Sequence, residues 1–189
     1  MRAVCLKIAR VMAVICAAAC VSGCLRATVQ DDVLGFALAD LDGNRVSLSD
    51  ERFEGKVVLV ELWGTWCPPC LVQMPHLIRW QETYRDRGFE IVALEFAAFQ
   101  AGSKEEYEKG LRESLDEAGV NYTVIQAGET TDLRDVLPTL QNFQGFPTSI
   151  FIGRDGLVKH MKSGFHESEV SYYEKTIEGL LAETGPPAN

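Results

Sequence analysis

Lysine and arginine are scarce in this sequence. They number 18 against 27 aspartates and glutamates, a formal charge of −9, and no basic cluster interleaved with aromatic residues stands out. A nucleic-acid partner is therefore not expected, because phosphate binding needs clustered cations. Internal repeats and low-complexity tracts are also lacking, so the 189 residues read as one globular domain with a processing segment. Acidic residues are missing before Asp31, where Arg2, Lys7 and Arg10 supply positive charge. The apolar run that follows them, Val11 to Val21, is too short for a membrane-spanning helix of roughly 20 residues. It suits the apolar core of a signal peptide.

That run ends in Val21-Ser22-Gly23-Cys24. Small residues before a cleavage point suit any signal peptide, and a cysteine directly after them resembles a bacterial lipoprotein box, in which the cysteine becomes the lipidated first residue. Residues 1–23 are thus read as a lipoprotein signal peptide, 24–32 as a tether beginning at the lipid-bearing Cys24, 33–184 as the domain and 185–189 as a frayed tail. An ordinary signal peptide or an uncleaved anchor is the alternative. Cleavage before Cys24 would remove Cys5, Cys16, Cys20 and three basic residues, carrying the formal charge from −9 to −12. Cys67 and Cys70 would be the only unmodified cysteines left. An exported chain with one close pair cannot carry a disulfide scaffold.

Along the domain, Phe36 to Asp40 and Arg45 to Leu48 flank Asp42-Gly43-Asn44, a hairpin turn signal. Val57 to Trp63 is an apolar, β-branched run interrupted by Glu61, which favours a buried strand. Pro68 to about Arg85 reads as a helix with Leu71, Met74, Leu77 and Ile78 on its apolar face, and Glu90 to Phe96 as the next strand. Ser103 to Ala118 reads as an exposed helix opened by a capping box with Glu106. Glu105–Lys109 and Glu108–Arg112 have the spacing of stabilising pairs there. Tyr122 to Gln126 is a short strand, and Thr130 to Asn142 is helix and loop interrupted by Pro138. Thr148 to Ile152 and Leu157 to Met161 are strands joined by Arg154-Asp155-Gly156, and Glu167 to Leu181 is the last helix. Strands separated by helices imply parallel crossovers, and the closing hairpin an antiparallel edge. The fold class is α/β, a three-layer sandwich around a mixed sheet.

The chemistry concentrates in Trp63-Gly64-Thr65-Trp66-Cys67-Pro68-Pro69-Cys70. A Cys-x-x-Cys pair after a buried strand, opening a helix, is a redox arrangement. Cys67 falls at the helix N-terminus, where free N–H groups and the dipole favour a thiolate, so it is the expected attacking sulfur. Pro68 suits the first helical position. Cys70 lies one turn inside, is expected to be less exposed, and is the resolving thiol. Competing readings are weaker. A zinc site needs four ligands, and no second cysteine pair exists to complete one with His76, His160 or His166. Covalent haem needs a histidine after the second cysteine, where this chain has Leu71. A purely structural disulfide closing so short a loop would stabilise little. No metal or other cofactor is expected.

These residues resemble the TlpA/ResA-like branch of the thioredoxin superfamily, exported and often membrane-tethered bacterial proteins. Three blocks between about Gly35 and Leu181 carry the resemblance: the hairpin followed by Gly55-Lys56-Val57-Val58-Leu59-Val60, the Trp-Cys-Pro-Pro-Cys motif, and Gly145-Phe146-Pro147-Thr148 before a strand. The resemblance implies a thioredoxin-like sandwich with an N-terminal β-hairpin extension and a central helical insertion following Phe96 to Gln100. It implies a thiol–disulfide oxidoreductase on the periplasmic side of a bacterial membrane, exchanging with protein disulfides or dithiols and recharged by a membrane thiol reductant. A reductant is the favoured direction; an oxidant or isomerase of the same fold, or a Cu(I)-handling thiol module, are the alternatives. A peroxidase of the neighbouring branch would need Pro-x-x-x-Thr-x-x-Cys, whereas Glu61 and Thr65 here stand six and two residues before Cys67.

The resemblance also assigns Pro147 as the cis-proline facing the cysteine pair, leaving the Phe146 backbone free for an extended substrate segment; an ordinary trans-proline opening a strand is the alternative. Trp66, Pro68 and Pro69, together with Trp63, would shape and cover the site. Pro75 matches a helix-kinking proline, and His76 reads as a helix-surface residue. Glu61 occupies the position of the buried acid of thioredoxins. Many TlpA-like proteins have a neutral residue there and an acid on the helix, where this chain has Gln73. A carboxyl inside an apolar strand should be buried with a raised pKa and able to accept the proton of Cys70; the alternative has Glu61 facing solvent or paired with a lysine.

Overall fold

The computed structural model describes residues 34–98 and 103–184. The expected signal peptide, the lipidation site Cys24, the tether and the tail lie outside the described residues.

The short strands β1 (Ala37–Ala39) and β2 (Arg45–Ser47) pair antiparallel as a separate two-stranded sheet. Their turn closes on Asp40, whose Oδ1 accepts the backbone N–H groups of Asp42 and Asn44 at 2.9 and 2.8 Å. Then come β3 (Val57–Trp63), α1 (Pro68–Tyr84), β4 (Phe89–Ala97), α2 (Lys104–Ala118), β5 (Thr123–Glu129), the one-turn α3 (Leu133–Val136), β6 (Thr148–Ile152), β7 (Val158–Ser163) and α4 (Val170–Ala182). The main sheet has the order β5-β4-β3-β6-β7. The pairs β3–β4 and β4–β5 are parallel, and β3–β6 and β6–β7 antiparallel. The closing hairpin therefore docks through β6 onto β3, which becomes the central strand. All seven residues of β3 are buried, which explains a run that is apolar at every position but Glu61.

Each face of the sheet has its own core. Val58, Val60 and Leu62 pack with Phe36, Val46, Phe53, Leu133 and Leu137 beneath the N-terminal hairpin and α3. Val57 and Leu59 pack on the other face with Leu77, Trp80 and Tyr84 of α1 and Tyr173, Ile177 and Leu180 of α4. The Trp80 and Tyr173 rings stack there with centroids 5.1 Å apart. On the same face Leu111 and Leu115 of α2 join Ala93 and Val124. At the sheet end where β3 begins, Arg154 donates to the carbonyls of Gly55, Arg87 and Leu181 at 2.7, 3.1 and 3.2 Å. The opposite end, where β3 and β4 finish, is left for the site.

The helix α2 begins as expected, with reciprocal bonds between Ser103 and Glu106. Its ion pairs differ from those expected at Glu105–Lys109 and Glu108–Arg112. Glu108 pairs backwards with Lys104 at 3.5 Å and Lys109 forwards with Glu113 at 3.8 Å. Arg112 leaves its own helix for Asp42 of the hairpin turn at 2.9 Å. Exposed charges with an i−4 and an i+4 neighbour choose between near-equal partners, and tertiary contact decided the choice for Arg112.

Candidate active site

At the end of β3 the chain turns through Gly64, Thr65 and Trp66 into α1. The turn closes with the Cys67 N–H donating to the Gly64 carbonyl at 3.1 Å. Gly64 is required by packing: a Cβ there would stand 2.7 Å from the Phe96 carbonyl oxygen and inside the Trp66 indole. That indole crosses over the glycine, and its Nε1–H donates to the Phe96 carbonyl at 2.8 Å. Cys67 is the N-cap of α1, with Pro68 and Pro69 in its first two helical positions. The Cys67 carbonyl accepts the N–H groups of Cys70 and Leu71 at 3.0 and 3.2 Å. Cys67 and Cys70 are joined by a disulfide, S–S 2.04 Å.

Both cysteines are 3% exposed, so the expected difference in exposure is absent. The disulfide folds the two residues together into one cluster with Trp63, Met74 and Ala93. Phe146 packs on the same cluster and meets Trp66 edge-on, with centroids 5.4 Å apart. The Phe146–Pro147 peptide bond is cis. Pro147 commits its carbonyl to the Gly164 N–H at 2.7 Å, whereas Phe146 gives no backbone hydrogen bond to another loop among the described residues. Trp66, Leu71 and Val72 form an exposed apolar surface around the buried pair, with Pro68 and Pro69 exposed between them.

Glu61 is 1% exposed. Its Oε2 accepts the Ser149 hydroxyl at 2.5 Å and the Gln73 amide Nε2 at 3.3 Å. Gln73, one turn beyond Cys70 on α1, also donates to the Ser149 oxygen at 3.0 Å. The helical Gln73 is therefore bonded to the strand acid. Desolvation pushes the Glu61 pKa up to about 8, and the two hydrogen bonds only partly offset it. Oε1 of Glu61 and Oε1 of Gln73 are buried without hydrogen-bond partners among the described residues, an arrangement that suits a protonated acid better than a carboxylate. The solvent-facing alternative for Glu61 does not hold.

Sequence reasoning passed over a second acid. Glu95 lies in β4 opposite Trp63 in register and is wholly buried. The Tyr107 hydroxyl of α2 donates to its Oε1 at 2.6 Å. Burial raises the Glu95 pKa to about 7, against the lowering effect of Tyr107 and the Thr65 backbone amide. The signal was the one used for Glu61, a carboxyl inside an apolar strand. His76 lies at the helix surface, as expected, but it is not idle there. Its side chain is 14% exposed and bonds Glu167 at 3.0 Å, lying against the Trp80 and Phe165 rings. It couples α1 to the segment before α4. Among the described residues no cluster of His, Cys, Asp or Glu is arranged to hold a metal ion.

A cysteine pair capping the first long helix beside a mixed five-stranded sheet defines a thioredoxin-like oxidoreductase. The Redoxin family model matches residues 28–177, and the chain belongs to that family. It is similar to the thiol-disulfide oxidoreductase ResA of Bacillus subtilis (strain 168), with 29% identity over 78% of this chain and 74% of that protein. The protein of the same name from Bacillus thuringiensis subsp. konkukian (strain 97-27) is 28% identical over 75% of this chain and 74% of its own. The crystal structure of a putative thiol:disulfide interchange protein DsbE from Chlorobium tepidum superposes with a TM-score of 0.66 at 28% identity, over 80% of this chain and 96% of that one. The TlpA/ResA-like resemblance and the thioredoxin-like fold stand on these matches.

Proposed function

We propose that this protein is an exported thiol–disulfide oxidoreductase that reduces disulfides in other exported proteins. The observation that carries the reading is the Cys67–Cys70 disulfide at the N-cap of α1, one helical turn from the Gln73–Glu61 pair. In the dithiol state the Cys67 thiolate attacks a substrate disulfide, forming a mixed disulfide and expelling one substrate thiolate. Cys70 then loses its proton to Glu61, attacks Cys67 and releases the second substrate sulfur. Glu61 is the proton acceptor only in its ionised form, so the step accelerates as pH rises toward about 8. Trp66, Pro68, Pro69, Phe146 and cis-Pro147 form the surface that receives an extended substrate segment, with the Phe146 backbone as its pairing edge. A membrane dithiol regenerates the reduced pair.

The N-terminal segment supplies the location. Residues 1–23 are removed, Cys24 carries the lipid and 24–32 tether the domain 33–184 to the periplasmic side of a membrane. No helix among the described residues is long and apolar enough to cross one. Stable anchoring needs more than one acyl chain, and mass spectrometry of the native N-terminus tests this placement. A mature form that begins elsewhere removes it.

The functional test is the reduction potential of the Cys67–Cys70 couple together with trapping. A reductant has a potential near that of thioredoxin, about −270 mV, and a value near −120 mV, that of a strong oxidant, reverses the direction. Cys70→Ser accumulates mixed disulfides with substrate, and Cys67→Ser abolishes exchange. Trapping by Cys67→Ser alone exchanges the two roles.

A further inference from the structure

The buried acid of β4 takes no part in that cycle. Two elements converge on Glu95. Tyr107 donates from α2 at 2.6 Å, and the Thr65 amide faces the carboxyl from the turn that carries Cys67. The Tyr107 oxygen is also 3.4 Å from the Thr65 hydroxyl, so one tyrosine bridges the acid and the reactive turn. The second carboxyl oxygen, Oε2, is buried with no hydrogen-bond partner among the described residues.

Among the described residues the neighbouring strands bring only neutral or acidic groups toward Glu95. Gln126, its register partner on β5, turns its amide to the Gly128 carbonyl. Glu61 stands on the same sheet face, paired with Ala93 two residues away, and the Tyr122 hydroxyl senses Glu61. Cys67 and Cys70 share one cluster with Trp63, Ala93 and the packed Tyr107. Among the described residues no cation acts on the Glu95 carboxyl. A buried carboxylate with one unpartnered oxygen and no cation holds its proton more tightly when a further negative charge appears nearby. Reduction of the disulfide supplies such a charge, the Cys67 thiolate.

We propose that Glu95 is the proton partner of Cys67: in the dithiol state the two groups hold one proton between them, and reduction of the disulfide loads that proton onto Glu95. The inference rests on Cys67–Cys70 being the redox pair. In the balanced step a donor dithiol gives up two electrons and two protons and closes to its own disulfide. The Cys67–Cys70 bond breaks, Cys70 takes one proton as a thiol, and Glu95 takes the other while Cys67 remains a thiolate. When Cys67 attacks a substrate disulfide its charge passes to the expelled substrate sulfur, which takes up one proton as Glu95 returns to the carboxylate. Glu95 touches no substrate in this scheme. It is a positioning residue that acts through the charge of Cys67, and Tyr107 sets its readiness by stabilising the carboxylate.

The test is redox-linked proton uptake by the full-length protein with dithiothreitol as reductant. Wild type gains a protonated-carboxyl band in reduced-minus-oxidised infrared spectra. After allowance for the two protons that dithiothreitol itself releases, the equilibrium constant of the protein's disulfide–dithiol half-reaction moves close to a hundredfold per pH unit between pH 7 and 8, twice the roughly 30 mV of a tenfold change. Glu95→Gln loses the band, lowers the pH at which Cys67 ionises, and reduces the dependence toward tenfold per unit. Tyr107→Phe keeps the ring, raises the proton affinity of Glu95 and moves the titration of the band to higher pH. If Glu95→Gln folds and exchanges but keeps the wild-type band and pH dependence, the inference is overturned while the redox reading stands. If Glu95→Gln fails to fold, Tyr107→Phe decides, and an unmoved band overturns it. A wild type that exchanges no thiols with a model disulfide overturns the redox reading itself.

Discussion

Replacing Glu61 by glutamine should make stability less dependent on pH, by an amount that follows from burial. The carboxyl is 1% exposed and its pKa is raised from 4.5 to about 8 by desolvation. Below pH 4.5 it is protonated in both the folded and the unfolded chain, and its contribution to stability is fully present. Between 4.5 and about 8 only the unfolded chain releases the proton, so stability falls as pH rises, by about 1.4 kcal/mol per unit. Above about 8 the loss is complete. The shift from 4.5 to about 8 corresponds to on the order of 5 kcal/mol, of which about 3 is already lost at pH 7. Glutamine does not titrate. The variant should therefore gain on wild type steadily from pH 4.5, reaching about 3 kcal/mol at pH 7, with any fixed offset from its amide hydrogen bonds shifting the curve without tilting it. Urea denaturation of the disulfide forms from pH 4.5 to 8.5 measures this. With a typical urea m-value of about 1–3 kcal/mol/M, the midpoints should diverge by about 1–3 M. Parallel curves would refute the argument, because they would mean that Glu61 titrates alike in both states.

In stopped-flow exchange with a model disulfide, Glu61→Gln should slow resolution of the mixed disulfide near neutral pH and matter less at high pH, where Cys70 ionises unaided; identical profiles across pH would remove the carboxylate as proton acceptor. Gly64→Ala should destabilise by about 1–3 kcal/mol, the range for overpacking, and release the Trp66 indole from the Phe96 carbonyl. Tryptophan fluorescence and thermal denaturation report both effects, and an unchanged melting point counts against the close approach. Trp80→Ala should lose about 3–5 kcal/mol, because its ring stacks on Tyr173 between α1 and α4; a loss under 1 kcal/mol in chemical denaturation would contradict that packing. Ser103→Ala removes the α2 cap and should cost about 1 kcal/mol, read in the same denaturation experiment.

Much of this molecule was legible locally. The Val57–Trp63 strand appears with the expected bounds, because a run buried on both faces needs no partner to be recognised as apolar. The helix after Cys67 starts at Pro68 and ends at Tyr84, before Gly88 at φ 84°, since proline and a left-handed glycine mark helix boundaries by backbone geometry alone. The cysteine pair, the capping box and the Asp40 turn are likewise contacts between near neighbours in sequence. Glu61 was found by the same reasoning, as a charge where none belonged. Glu95 carried the same mark and was missed because no motif stood beside it.

Contacts between distant segments were of another kind. Cys-x-x-Cys spacing and the alternation of strands and helices sufficed for an α/β sandwich with a redox pair, because each depends on chain geometry within one or two elements; the thioredoxin-like plan and the role of Pro147 came from the resemblance of the motif blocks. The partners of Glu61, Ser149 on β6 and Gln73 on α1, required the β3–β6 register and the packing of a helix across it. The Tyr107–Glu95 bond required α2 to settle over the end of β4, and the departure of Arg112 to Asp42 required the hairpin to lie within its reach. The sequence by itself determined which groups are chemically able to act. Only the tertiary structure decided which of them are desolvated together, because proton affinity depends on burial and on neighbours brought together from distant segments of the chain.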